Sequence, residues 1–232
     1  LEVWNSESGT FLCSFKTQGS IKRGKMSPNG NEFVVVFDNG DISLVDSRTC
    51  TTFFFLFGHK ANSAEFSSDG TKLLSVSSDR TTRIWDVETR NELAMFLHPA
   101  VVIHAVFSKD NNRVVTAGRD NMVRVWNAET GAELLAFEHV VLPDTIGFSS
   151  DDSLMLTSSN SSNQTWVWDL NMVGAYRLYK HSDKVLTAHF SNDGKEIVTT
   201  CWDGTAKIWD NSGGASLILR NTEPVEYAEF SP

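Results

Sequence analysis

Three stretches of this 232-residue chain bring together the residue types of acid–base chemistry. One holds His59, Ser75 and Asp79, a second His98, Thr116 and Asp120, and a third His181, Thr199 and Asp203. A hydroxyl, an imidazole and a carboxylate are the parts of a hydrolytic triad: the imidazole takes the proton of the hydroxyl while the carboxylate orients it. A triad is needed once. Here the set occurs three times at a fixed period, each time followed by a tryptophan: Trp85, Trp126 and Trp209. Recurrence of this kind argues for an internal fastening and against catalysis. Each set also offers one histidine and one aspartate, fewer ligands than a metal centre uses. No catalytic residue, no metal ligand and no cofactor is therefore expected.

The elements that position these residues are strands. "SSDRTTRIWDVETR" (77–90) recurs as "GRDNMVRVWNAETG" (118–131) and as "CWDGTAKIWDNSGG" (201–214). The tryptophans Trp85, Trp126, Trp168 and Trp209 are spaced 41, 42 and 41 residues apart. Trp4 lies two periods before Trp85, with Val45 at the midpoint. Within one period, "VLTAHFSNDGKEIVTTCWDGTAKIWD" (185–210) shows the parts. A first strand ends in Phe-Ser, and an Asn/Asp-Gly turn of hairpin type follows. A β-branched second strand comes next. A tight turn then leads to a third strand with period-2 alternation. A fourth, more variable strand, as in "AELLAFEH", precedes the next period. Helical periodicity of any length is absent. Four short antiparallel strands in each period of about 40 residues describe a β-propeller blade.

The motif "GH…SSDRTTRIWD", with "LH…GRDNMVRVWN" and "KH…CWDGTAKIWD", resembles the WD-repeat (WD40) propeller family over essentially the whole length. The resemblance implies an all-β fold of four-stranded antiparallel blades, five full and parts of a further one, belonging to a seven-bladed ring. The blades fall at about 1–17 (partial), 18–57, 58–98, 99–139, 140–181, 182–221 and 222–232 (partial), so the single domain 1–232 is expected to be incomplete at both ends. It also implies that His, Ser/Thr, Asp and Trp of a blade form a hydrogen-bonded chain, which satisfies four buried polar groups together. These structural clamps would be His59, Ser75, Asp79 and Trp85; His98, Thr116, Asp120 and Trp126; and His181, Thr199, Asp203 and Trp209. The blade at 140–181 keeps His139, Thr157 and Trp168, but its turn "SSNSSNQ" has no Asp and is one residue longer. The blade at 18–57 has no His, Asn39 near the Asp place and Val45 for Trp, so it should be less tightly clamped. The blade at 58–98 is two residues shorter between His59 and Phe66, so its entry strand is expected to be irregular.

In the family, the start of each first strand and the second-to-third turn build a narrow top face used for partners. In the blades at 99–139, 140–181 and 182–221 the corresponding positions cluster Val101, Ile103, Leu142, Leu186 and Trp202, edged by Arg119 and Lys184. Trp202 stands out, because tight turns favour Gly, Asn, Asp and Ser while Trp and Arg are enriched at interface hot spots. An apolar crescent with a basic edge suits a peptide or helix of a partner protein carrying acidic residues.

Composition limits the other classes. Net charge is −9 and the pI about 5.1, against the basic face of nucleic-acid binders, so no direct nucleic-acid contact is expected. No apolar run approaches the roughly 18–20 residues of a membrane span. The N-terminal "LEVWNSESG" has neither the basic nor the apolar region of a signal peptide. It also lacks an initiator Met, which suggests a chain cut from something longer. Cys13, Cys50 and Cys201 are odd in number and widely spaced, which reads as free structural thiols of a reducing compartment. Sequons at Asn160 and Asn163 carry little weight. The reading is a non-catalytic scaffold for protein–protein interaction inside a larger assembly, cytoplasmic or alternatively nuclear. The alternatives are a component of an RNA-processing or ribosome-assembly complex, and a sensor or autoinhibitory propeller of a larger signalling ATPase. A ubiquitin-ligase receptor motif has only a weak counterpart in "VDSR" (45–48).

Overall fold

Turn chemistry sets where the strands begin and end. In four successive periods a serine closes the first turn by donating to an aspartate two residues on. Ser67 donates to Asp69 at 2.7 Å, Ser108 to Asp110 at 2.6 Å, Ser149 to Asp151 at 2.6 Å and Ser191 to Asp193 at 2.7 Å. This Asx-type bonding competes with strand hydrogen bonding and so stops the strand. The aspartate that ends the third strand works in the same way. Asp86 Oδ1 accepts the Thr89 N–H at 2.6 Å and its hydroxyl at 2.8 Å, and Asp46 Oδ1 holds Thr49 likewise at 2.8 and 2.9 Å.

The computed structural model describes residues 2–5, 7–15, 19–56, 59–172, 176–210 and 213–231. Its regular elements are all β-strands. They fall in two compact units, residues 1–105 with 128–131, and residues 106–127 with 132–232.

The first unit opens with a two-stranded sheet, β1 (Glu2–Trp4) and β2 (Phe11–Ser14). Two four-stranded sheets follow. One comprises β3 (Ile21–Met26), β4 (Glu32–Phe37), β5 (Ile42–Asp46) and β6 (Thr52–Leu56). The other comprises β7 (Ala61–Phe66), β8 (Lys72–Ser77), β9 (Thr81–Asp86) and β10 (Glu92–Leu97). Val34, Ile42 and Leu44 pack with Ala64, Phe66 and Trp85 in one core, and Val3 and Phe15 with Phe33, Val35 and Val45 in another. Val45, at the tryptophan place, is fully buried.

Of the next sheet, β11 (Val102–Phe107) begins in the first unit and ends in the second, and β12 (Arg113–Gly118), β13 (Met122–Asn127) and β14 (Glu133–Glu138) follow in the second, in that sheet order. Next come β15 (Thr145–Phe148), β16 (Leu154–Ser158), β17 (Gln164–Asp169) and β18 (Tyr176–Lys180). Last are β19 (Val185–Phe190), β20 (Glu196–Cys201), β21 (Thr205–Asp210) and β22 (Ala215–Arg220). In each of these sheets neighbours in sequence are neighbours in space, the meander of a propeller-type blade. The blades stack: Phe137 packs on Met155 and Trp168, and Tyr179 on Ile197 and Trp209. Stacking on both faces explains why adjacent residues of an inner strand are apolar and buried, as in β16, where Met155 packs with Phe137 and Leu156 with Tyr179 and Ile197.

The expectation of three free thiols is corrected. Cys13 and Cys50 are joined in a disulfide, with Cα atoms 5.7 Å apart, so only Cys201 is a free, buried thiol. They stand 37 residues apart in sequence. A repeat of about that length lays such residues on adjacent sheets, which spacing alone did not reveal. In the partial blade expected at 222–232, the described residues form no strand, and the Val225 N–H donates to the Cys201 carbonyl at 3.3 Å. The shift between Ala61 and Ser63 in β7 recurs between Ile21 and Arg23 in β3 and between Val185 and Thr187 in β19. The entry strand of the blade at 58–98 is therefore irregular as expected, and it shares that irregularity with two other first strands.

Candidate functional site

The recurring His–hydroxyl–Asp–Trp sets sit inside the blades. In the sheet β7–β10, Trp85 Nε1–H donates to Ser75 Oγ at 2.9 Å, Ser75 Oγ lies 2.8 Å from His59 Nε2, and His59 Nδ1 lies 3.3 Å from Asp79 Oδ2. Proton positions follow from the ends. The indole can only donate, so the Ser75 hydroxyl accepts from it and gives its own proton to His59 Nε2. The imidazole then carries its proton on Nδ1, facing the carboxylate. Burial pushes the His59 pKa down despite Asp79, so the ring is neutral near pH 7. Burial tends to raise the Asp79 pKa, but hydrogen bonds from Thr81 and Ser77 outweigh it and hold the carboxylate below its usual range.

The other sets vary on this plan. In β11–β14, Trp126 Nε1 donates to Thr116 Oγ1 at 2.9 Å, and Asp120 takes the Arg124 guanidinium at 2.8 Å. His98 Nε2 lies 3.2 Å from the Thr82 hydroxyl. In β15–β18, Thr157 Oγ1 receives Trp168 at 2.9 Å and lies 3.0 Å from His139 Nε2. The turn without Asp is served instead by Asp144, whose carboxylate accepts the Asn160 N–H at 2.9 Å and the Ser159 hydroxyl at 3.1 Å. In β19–β22, Thr199 Oγ1 receives Trp209 at 2.7 Å and lies 2.6 Å from His181 Nε2. Here Asp203 Oδ2 is 4.0 Å from His181 Nδ1, and the Thr205 hydroxyl sits between, 3.3 Å from Nδ1 and 2.5 Å from Asp203 Oδ1. Ser182 Oγ donates to Asp203 Oδ2. Burial pushes the His181 pKa down to about 4. Each of these hydroxyls is committed to an indole and, in three blades, an imidazole. None is presented to solvent as a nucleophile, since Ser75, Thr116, Thr157 and Thr199 are all buried.

The expected partner positions divide between the units. Val101 and Ile103, both partly buried, belong to the first. Arg119, Leu142, Lys184, Leu186 and Trp202 belong to the second. Arg119 and Lys184 are exposed, and Leu142 and Leu186 are partly buried. Lys184 and Trp202 are brought together, because the Trp202 N–H donates to the Lys184 carbonyl at 2.9 Å. The Trp202 side chain is 55% exposed on the β20–β21 turn. Ser78 and Arg119 hold the same place before Asp79 and Asp120. The roles of Thr205, Ser182, Arg124 and Asp144 were missed from the sequence. The first three lie within four residues of a clamp residue, but residue type alone did not show that they bond to it.

Comparison with known proteins agrees with this geometry. The family model described as "WD domain, G-beta repeat" matches residues 49–86, 92–127 and 175–210. WD repeat-containing protein 1 of Rattus norvegicus is 35% identical over 77 residues, which is 31% of this chain and 13% of that protein. The proteins of the same name from Bos taurus and Gallus gallus are 35% and 34% identical over the same length and the same shares. The matched stretch thus spans about an eighth of these relatives' length.

Proposed function

We propose that this chain, which belongs to the WD-repeat family, is a non-catalytic scaffold that docks partner proteins at the edge of its blades where Trp202 stands. WD-repeat proteins in general act as protein-interaction scaffolds. The observation that carries the finer reading is the exposure of Trp202, 55%, in a turn where its hydrogen-bonding neighbours need no indole. The turn is already closed without it: Asp203 Oδ1 accepts the Thr205 N–H at 2.9 Å, and Gly204 N–H donates to the Cys201 carbonyl at 3.2 Å. A large apolar ring left in water on a turn is costly to solvate and is the kind of side chain that anchors interfaces. Lys184, held beside it, and Arg119 supply positive charge on a chain whose net charge is −9. That favours a partner segment with an apolar anchor flanked by Asp or Glu. The recurring histidines, hydroxyls and aspartates are absorbed by the fold, which supports a scaffold over a hydrolase.

The test is recovery of partners on the tagged full chain, quantified by mass spectrometry, beside the double variant Trp202→Ala, Leu186→Ala. Selective loss of a defined subset, with an unchanged unfolding midpoint, is the expected result. An unchanged partner set on the folded variant overturns docking at this edge.

A further inference from the structure

We infer that His181, Cys201 and Asp203 form a binding site for one divalent cation of the zinc class. One ligand atom from each of the three lies within 4.8 Å of the others. The site is particular to one blade. Two residues before the clamp aspartate, β8 ends in Ser77 and β12 in Gly118, while β20 ends in Cys201. The thiol adds the third ligand that the histidine–aspartate pairs of the other blades do not have.

The surroundings suit such an ion. His181 and Cys201 are buried, and Asp203 is 14% exposed at its side chain, which gives the ion an entry from solvent. A thiolate and a carboxylate together neutralise a divalent charge, so the filled site carries no net charge into a buried place. Sulfur and imidazole donors select zinc-like over calcium- or magnesium-like ions. Both polar ligands also have the outer contacts that orient metal ligands. Thr205 holds Asp203 Oδ1 through its N–H at 2.9 Å and its hydroxyl at 2.5 Å, which leaves Oδ2 toward His181. Thr199 Oγ1 sits 2.6 Å from His181 Nε2.

Protons balance on binding. Cys201 releases its thiol proton to solvent. The imidazole stays neutral by moving its proton from Nδ1, which ligates, to Nε2, which then donates to Thr199 Oγ1. The Thr199 hydroxyl turns its own proton to the Lys207 carbonyl, 3.5 Å away. One proton leaves for each ion bound. Ser182 Oγ, which touches Asp203 Oδ2, or a water completes four-coordination.

Cys201 is the only free thiol of the chain, so a metal–thiolate signal reports on this site alone. The full chain, with its disulfide intact, is titrated with Cd²⁺ for cadmium–thiolate absorbance and with Zn²⁺ in competition. The expected result is one equivalent bound, no thiolate band in Cys201→Ser, and Zn²⁺ affinity reduced roughly tenfold or more in Asp203→Asn. Serine already stands at the equivalent place in β8, so Cys201→Ser should keep the fold. Should it not, X-ray absorption on the zinc-loaded wild type decides: one sulfur at about 2.3 Å with nitrogen and oxygen at about 2.0–2.2 Å. Absence of a thiolate band at saturating Cd²⁺, an affinity indifferent to Asp203→Asn, or a zinc shell without sulfur overturns the site.

Discussion

Ser75 Oγ stands between two buried rings, 2.9 Å from Trp85 Nε1 and 2.8 Å from His59 Nε2, and so joins β8 both to β9 and to the segment that enters β7. Because the indole can only donate, this one hydroxyl sets the proton arrangement of the whole chain of bonds.

Ser75→Ala therefore leaves two buried nitrogens unpaired. The expected loss is about 1–3 kcal/mol for each group left without a partner. Trp85→Phe removes one donor and leaves the serine–histidine bond in place, so its polar cost is smaller, about 1 kcal/mol, apart from lost packing. Denaturant midpoints of the two variants, measured side by side, should rank Ser75→Ala as the more damaging in polar terms. A Ser75→Ala midpoint equal to wild type would refute the arrangement.

Acid should loosen the blades through their histidines. Burial lowers the pKa of His59 and of His139 below the ordinary 6.5. In the unfolded chain these rings take up a proton at about 6.5, while in the folded chain they resist until lower pH. The unfolded state thus binds more protons in that window, and stability falls as pH drops below about 6.5. Above 6.5 both states are neutral at these rings and their contribution is flat. Thermal midpoints between pH 8 and pH 5 check the sign. A midpoint that rises on acidification would contradict it.

Gly204 has φ +78°, and a Cβ there would lie 2.6 Å from the Asn221 carbonyl oxygen. Gly204→Ala meets both a left-handed backbone and a backbone clash, so it should cost more than the ~1 kcal/mol typical of a point change. Gly9, also at positive φ (+64°) but with nothing within 4 Å, should tolerate alanine better. Comparing the unfolding midpoints of the two variants separates strain from contact.

The Cys13–Cys50 bond ties β2, in a two-stranded sheet, to the turn that follows β5. Such a two-stranded sheet is marginal by itself. Closing a 37-residue separation removes chain entropy from the unfolded state worth about 3–4 kcal/mol. Cys13→Ser with Cys50→Ser, or reduction, should lower the unfolding midpoint accordingly. Hydrogen exchange should then rise first in β1 and β2.

Much of the fold was legible in one dimension because a repeat writes it several times. Trp126, Trp168 and Trp209 mark the third strand of successive sheets, and the Ser-x-Asp turns mark the ends of first strands. Local chemistry of that kind acts within a few residues, so residue type and spacing suffice to read it. The replacement of Trp by Val45 was equally visible, although only packing shows how completely Val45 is buried.

What the chain determined by itself, then, is the period, the strand alternation and the set of polar residues that the blades must satisfy. Tertiary structure alone decided which atoms meet across them. Cys13 finds Cys50, Asp144 serves a turn that has no aspartate of its own, and Asp120 is taken by Arg124. In the last blade Thr205 comes between Asp203 and His181, and Cys201 is drawn into their company. These contacts depend on side-chain reach and on how neighbouring sheets are laid together. A displacement of an ångström or two makes or breaks them, and no spacing along the chain encodes that distance.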